Sequence, residues 1–221
     1  MSAANAAVPS APPPPRIKVF IDYWNLQLTL NERESAVTRQ GDGRFKINWK
    51  GLPAWLAEKA ANATQIAKYS YEGAIIHASY DRNSPDGPGF YNWATTWLNR
   101  QPGIQVVCHL RRPRSLPKCS SCHHTITACP RPECGQLIAG TVEKGVDTAI
   151  ATDMIRLAWE NAYDIGVLVS LDADLIPAVH FLDQKGKKIV QAGFPPKGVD
   201  LATSCWASFD IFSCRDEIRR P

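Results

Sequence analysis

Four aspartates carry the most legible chemistry in this chain. Asp22 ends the apolar run Val19-Phe20-Ile21, Asp172 ends the run Leu168-Val169-Ser170-Leu171 with Asp174 two residues on, and Asp147 opens the stretch leading into that second run. Such runs read as buried parallel strands, and open parallel sheets bind ligands beyond the carboxyl ends of their strands, where helix N-termini converge. Taken singly, an aspartate at a strand end or helix start serves as a cap or turn residue. Four at matching positions crowd one edge with like charge, which raises their pKa values or requires a counter-cation. Mg²⁺ or Mn²⁺ would supply it, because hard divalent ions take carboxylate and water oxygens and bridge to substrate phosphates.

The second constellation is sulfur. Cys119-x₂-Cys122 and Cys129-x₄-Cys134 hold four of the seven cysteines within sixteen residues. The odd total argues against a disulfide framework, and four thiolates at tight-turn spacing suit a tetrahedral structural Zn²⁺. The surrounding insertion, 115–138, is rich in Pro and Ser and has no core of its own to fold around. His123 and His124 could replace one sulfur but fit the loop surface better, and four sulfurs leave no open position for catalysis. Cys108, Cys205 and Cys214 lie in apolar contexts and read as buried thiols.

A basic surface adjoins the cysteines. Residues 87–132 contain no Asp or Glu, and Arg111, Arg112, Arg114 and Lys118 fall within them. With Lys144 beside Asp147, these form a candidate nucleic-acid-binding set, a solvated charged loop being the plainer alternative. Tyr91, Trp93 and Trp97 are spaced for one helix, which favours core packing over base stacking, and Trp49 and Trp55 also read as core.

Positioning these groups requires a sheet. Strand-length apolar runs alternate with stretches of helical period, the pattern of an α/β fold with a mostly parallel central sheet. Strands are expected at 17–21, 73–80, 104–110, 165–171 and 188–192, with a weaker one at 209–212. Helices are expected at about 23–33, 52–63, 90–99, 147–163, 176–185 and 201–207, and a polar loop at 34–46. Residues 1–15, rich in Pro and Ala, form a tail that cannot offset the entropy of ordering; one domain fills 16–215, and 216–221 is a charged C-terminal tail.

Composition narrows the function classes. With 221 residues, 44% hydrophobic and 21% charged, the chain supports one core, and 25 Lys and Arg against 21 Asp and Glu make it mildly basic at +4. Whole-chain disorder, collagen and coiled coil are excluded, and every apolar run falls short of the ~18 residues of a membrane helix. The N-terminus lacks the charged and apolar regions of a signal peptide, so a cytoplasmic protein with no membrane partner is expected. A homodimer is compatible with the sequence.

Three segments carry a family resemblance: Val19-Phe20-Ile21-Asp22-Tyr23-Trp24-Asn25-Leu26, the stretch Glu143 to Met154 (EKGVDTAIATDM), and the stretch Leu168 to Pro177 (LVSLDADLIP). They resemble, in order, the motifs of NYN domains in the PIN-like nuclease superfamily, most closely its LabA-like branch. The resemblance implies a PIN-like three-layer fold and a metal-dependent nuclease centre, with Asp22, Asp147, Asp172 and Asp174 as its acids and Asn25 as a polar helper near the metal or scissile phosphate. Two positions depart from the pattern: Leu171 stands where the family commonly has Gly, and Tyr23-Trp24 is bulkier than usual. Asp153 matches too, but lies about 240° round a helix from Asp147, which suits a structural role.

The expected activity is that of a metal-dependent, endo-type ribonuclease. One or two Mg²⁺ or Mn²⁺ ions would acidify a water, align it with an RNA phosphodiester and stabilise the leaving oxygen, with no histidine base required. The preference for RNA comes from the resemblance alone, and single-stranded DNA is the other candidate substrate. A scaffold that holds RNA or a protein through the basic zinc loop is the main alternative. A haloacid-dehalogenase-type phosphohydrolase would read Asp172 as nucleophile and Asp174 as acid, but that pair normally ends a first strand, and here it ends the fourth.

Overall fold

Apolar residues on both faces of successive strands build a sheet that must be covered on both sides. The structure, a computed structural model, describes residues 12–39, 44–131 and 133–220. In chain order it runs β1 (Arg16–Asp22), α1 (Tyr23–Thr38), α2 (Leu52–Ala63), β2 (Ser70–Tyr80), α3 (Gly87–Asn92), β3 (Ile104–Leu110), β4 (Arg112–Pro113), β5 (Thr141–Val142), α4 (Val146–Trp159), β6 (Ile165–Val169), α5 (Ile176–Gln184), β7 (Lys188–Gly193), α6 (Val199–Ser204) and β8 (Ala207–Asp210). Six strands pair in the order β3-β2-β1-β6-β7-β8, all parallel, while β4 and β5 form a separate antiparallel stem.

This is the doubly wound order, and it reverses between β1 and β6. Alternation along β1 sends Val19 and Ile21 into a core with Leu26, Leu30 and Leu56 of α1 and α2. Phe20 enters a second core with Ile150 and Met154 of α4, Val179 of α5 and Leu201 of α6. The result is three layers, helix on sheet on helix.

Several expected boundaries shift for identifiable reasons. Helix α1 continues to Thr38 instead of ending near residue 33, because Glu34 is buried and ion-paired to Arg215 at 3.1 Å and to Arg219 at 2.7 Å. The same pairs correct the C-terminal tail at 216–221: Phe212–Ile218 coil into a 3₁₀ segment, Ile218 is buried, and Arg219 bridges to Ile47. Helix α3 loosens into a π turn at Trp93–Trp97, and Tyr91 and Trp97 are exposed instead of packed in the core. Residues 1–11 of the expected N-terminal tail and 40–43 of the expected loop lie outside the described residues.

The departures at Leu171 and Tyr23 are accommodated by neighbours. Leu171 lies against Gly198, which holds a left-handed backbone at φ 71° and where an added Cβ would meet Leu171 at 2.8 Å. Tyr23 is buried in an aromatic cluster, stacked on Trp49 with centroids 5.0 Å apart and edge-on to Trp24 at 4.9 Å.

Gln191, buried on β7, ties the sheet to the turn carrying Asp172. Its Nε2 donates to the carbonyls of Ser170 at 3.0 Å and Gly198 at 3.2 Å. Replacing Gln191 by Leu strips both carbonyls of a buried donor and is expected to cost roughly 1–3 kcal/mol. Thermal unfolding checks it, at about 2–4 °C per kcal/mol for a chain of this size; an unchanged midpoint would show that these bonds do not hold the turn.

Candidate active site

Each acid is set by the element it terminates or begins. Asp22 ends β1 and caps α1, its Oδ1 accepting from the Asn25 backbone N–H at 3.0 Å. Asp172 stands just beyond β6 and repeats the device, accepting from the Asp174 N–H at 2.9 Å. Asp147 lies in the first turn of α4, behind Gly145 in a left-handed conformation at φ 85°. The chain reversal therefore places Asp22 and Asp172 on adjacent strand ends of the central sheet.

Their electrostatics are mutually unfavourable. Asp22 is only 5% exposed, and burial, reinforced by Glu143 and Asp147, pushes its pKa up to about 7 against the pull of the Asn25 N–H. Burial also raises Asp147, helped by Asp172, Glu143 and Asp174. Among the described residues no Lys or Arg forms an ion pair with Asp22, Asp147, Asp172 or Asp174. The acids share one rim within electrostatic reach, yet among the described residues no three Asp, Glu, His or Cys stand close enough together to hold a metal ion. The donor set, oxygen-only and unmatched by cations, suits a hard divalent ion.

Glu143 is the acid that sequence reasoning passed over. It accepts from the Ser79 hydroxyl and lies 3.8 Å from Arg111. Its signal was there: it falls four residues before Asp147, inside the second quoted segment. Arg111, expected to face nucleic acid, turns inward, donating to Ser79 Oγ at 2.9 Å and lying over the Trp24 ring at 5.7 Å. Arg112, Arg114, Lys118 and Lys144 are exposed. Asn25 is half-buried, and among the described residues its side-chain amide has no hydrogen-bond partner.

Beside Asp22 in register sits His77, buried on β2. Its Nε2 is 3.3 Å from Asp153, its Nδ1 3.1 Å from His109, and burial lowers its pKa to about 4. His77 is thus neutral near pH 7, and Asp153 faces it and Arg156.

The cysteines occupy two small hairpins. Lys118 bridges Thr125 around Cys119 and Cys122, and Ala128 bridges Leu137 around Cys129 and Cys134. His123 at φ 57° and Gly135 at φ 55° turn the chain after each second cysteine. N–H groups of Cys122 and Ser121 aim at Cys119 Sγ and, with the Cys122 thiol, hold its pKa below the usual thiol value. His123 and His124 are exposed, and Cys108, Cys205 and Cys214 are half-buried.

The same architecture is known elsewhere. The crystal structure of a protein of unknown function, VPA0982 from Vibrio parahaemolyticus RIMD 2210633, superposes with a TM-score of 0.51 at 16% identity, covering 90% of this chain and 93% of that one. At that identity the likeness shows the fold alone. No curated protein is similar enough to match. The NYN domain, by contrast, matches residues 16–206, a span that takes in every sheet strand through β7, the four aspartates and both cysteine hairpins, and the chain belongs to that family.

Proposed function

We propose that the protein is a metal-dependent ribonuclease that hydrolyses RNA phosphodiesters at the rim formed by Asp22, Glu143, Asp147, Asp172 and Asp174. The observation that carries this reading is a buried Asp22 with Glu143 and Asp147 near enough to raise its pKa and, among the described residues, no cationic side chain paired to it. Membership of the NYN domain family, a nuclease-type domain, supports a nucleic-acid substrate. A bound Mg²⁺ or Mn²⁺ would neutralise the carboxylates and the phosphate and make a water more acidic. Asp22 and Asp172, each anchored by a backbone N–H, present one oxygen at a fixed angle to the rim. Asn25 has its amide free to donate to a phosphate oxygen. The buried His77 packs on β2 beside Asp22.

The insertion serves as a structural zinc element in this reading. Each hairpin carries one cysteine pair, and at Cys119 backbone N–H groups aim at the sulfur, as they do towards thiolate ligands. The scaffold alternative uses the exposed Arg112 and Arg114 before the insertion and Lys118 within it but needs no acids.

Three measurements test these statements. Asp172→Asn is expected to lower Mn²⁺-dependent cleavage of single-stranded RNA by at least an order of magnitude while leaving RNA binding in chelator unchanged. An intact protein that binds RNA but never cleaves it with Mn²⁺ or Mg²⁺ favours the scaffold.

Asp22 also makes stability depend on pH. Between about pH 4 and 7 the folded metal-free protein keeps a proton that the unfolded chain releases, so stability falls as pH rises through this window. In chelator at pH 8, Asp22→Asn, still an N-cap, is expected to be more stable by up to about 4 kcal/mol, an advantage that fades towards pH 4. Added Mn²⁺ should raise the melting temperature of the parent and not of the variant. A parent less stable than Asp22→Asn at neither pH would remove the buried charge from the account.

Elemental analysis of the purified protein is expected to find about one zinc per chain, lost in a Cys119→Ser/Cys122→Ser variant. A zinc-free parent with four titratable thiols would refute the zinc element.

A further inference from the structure

The molecule carries an open cleft of about 660 Å³, bounded by the start of α1, the segment 44–49, the start of α3 and Arg220. That volume lies within the roughly 300–1,000 Å³ of small-ligand sites. Two kinds of side chain dominate its walls. Trp24, Phe90 and Trp93 are half-buried and present aromatic surface, while Arg44, Lys46 and Arg220 are exposed along the same wall. Among the described residues none of these three cations has a carboxylate within ion-pair distance. Asp86 also lines the cleft and is exposed.

The cleft is built rather than incidental. Buried Gln27 donates to the Phe45 carbonyl at 2.9 Å and so fixes the basic segment against α1. The Arg220 N–H donates to the Lys46 carbonyl at 2.7 Å, which ties the backbone of two basic positions far apart in the chain together. Trp24 Nε1 donates to the Ser79 carbonyl at 2.6 Å, which holds the indole at the boundary with a second cleft of about 320 Å³. That second cleft contains Ser79 and Arg111, the partners of Glu143, and shares Trp24, Phe90 and Asp86 with the first. The two clefts therefore meet at Trp24, and the second one reaches Ser79 and Arg111, the side chains that contact Glu143.

We infer that this cleft is a subsite for a single nucleic-acid strand, seating nucleotides beside the scissile phosphate; the inference rests on the nuclease reading for its role but not for its binding chemistry. Aromatic surface stacks bases only when their faces are free, a condition met by single strands and not by duplexes. Arg44, Lys46 and Arg220 match the repeating phosphates of such a strand. This basic surface differs from the set expected from the sequence, Arg111, Arg112, Arg114, Lys118 and Lys144, none of which lines it.

The test is fluorescence anisotropy in chelator, where no cleavage occurs, with a labelled ten-nucleotide RNA, the same RNA as a duplex, and the matching single-stranded DNA. The Lys46→Glu/Arg220→Glu variant alters two exposed side chains and is checked for folding by circular dichroism. Expected is preference for single strands over duplex, a loss of at least tenfold in the variant, and a salt dependence shallower by about 1.4 in log–log slope, from two lost phosphate contacts at ~0.7 each. Equal binding of RNA and DNA strands supports a cleft that reads bases and phosphates; preference for RNA supports one that also reads the sugar. Parent and variant binding alike, or duplex binding as tightly as the single strand, overturns the inference. If the parent binds through this cleft yet cleaves nothing with Mn²⁺, the nuclease reading fails and the subsite stands.

Discussion

Like charge held in a confined place is the constraint on which the rest of the structure turns. Asp22 is buried at the end of the central strand, with Glu143 and Asp147 close enough to oppose its ionisation. Folding alone gives no reason to keep such a group, since an apolar or amide side chain there would avoid the desolvation cost. A positively charged ligand at the rim, as proposed, would offset that cost.

That organisation relies on backbone geometry. Both Asp22 and Asp172 double as caps, so the N–H groups that orient their oxygens are the same ones that start the following helical turns. Gln191 and Gly198 hold the Asp172 turn from the next strand and loop, and Leu171 occupies the space that Gly198 leaves open. On the other flank Ser79, Glu143 and Arg111 link β2, the loop before α4 and the stem of the cysteine insertion. The insertion is thereby tied to the acidic rim at its base, while its cysteine hairpins project beyond.

The cations divide into two populations. Arg111 is absorbed into the rim's own hydrogen bonding, whereas Arg44, Lys46 and Arg220 face an open cleft beside aromatic side chains. Trp24 stands between them, with Ser79 and Arg111 on one side and Arg44, Lys46 and Arg220 on the other.

Strand-length apolar runs, their terminal aspartates and the tight cysteine spacing were legible in the sequence because they depend on local periodicity and residue type. β3 and α2 have the limits read from the chain, and the aspartates fall at strand and helix ends as their neighbours imply. What lay beyond reach depended on residues far apart in the chain. The strand order that sets β1 beside β6, the entry of Glu143 into the rim, the inward turn of Arg111 and the pairing of residue 46 with residue 220 arise only when the sheet closes. Sequence by itself determined which groups carry charge and which segments must be buried; the tertiary structure alone decided which charges meet, because long-range proximity follows from strand order and packing and leaves no periodic trace along the chain.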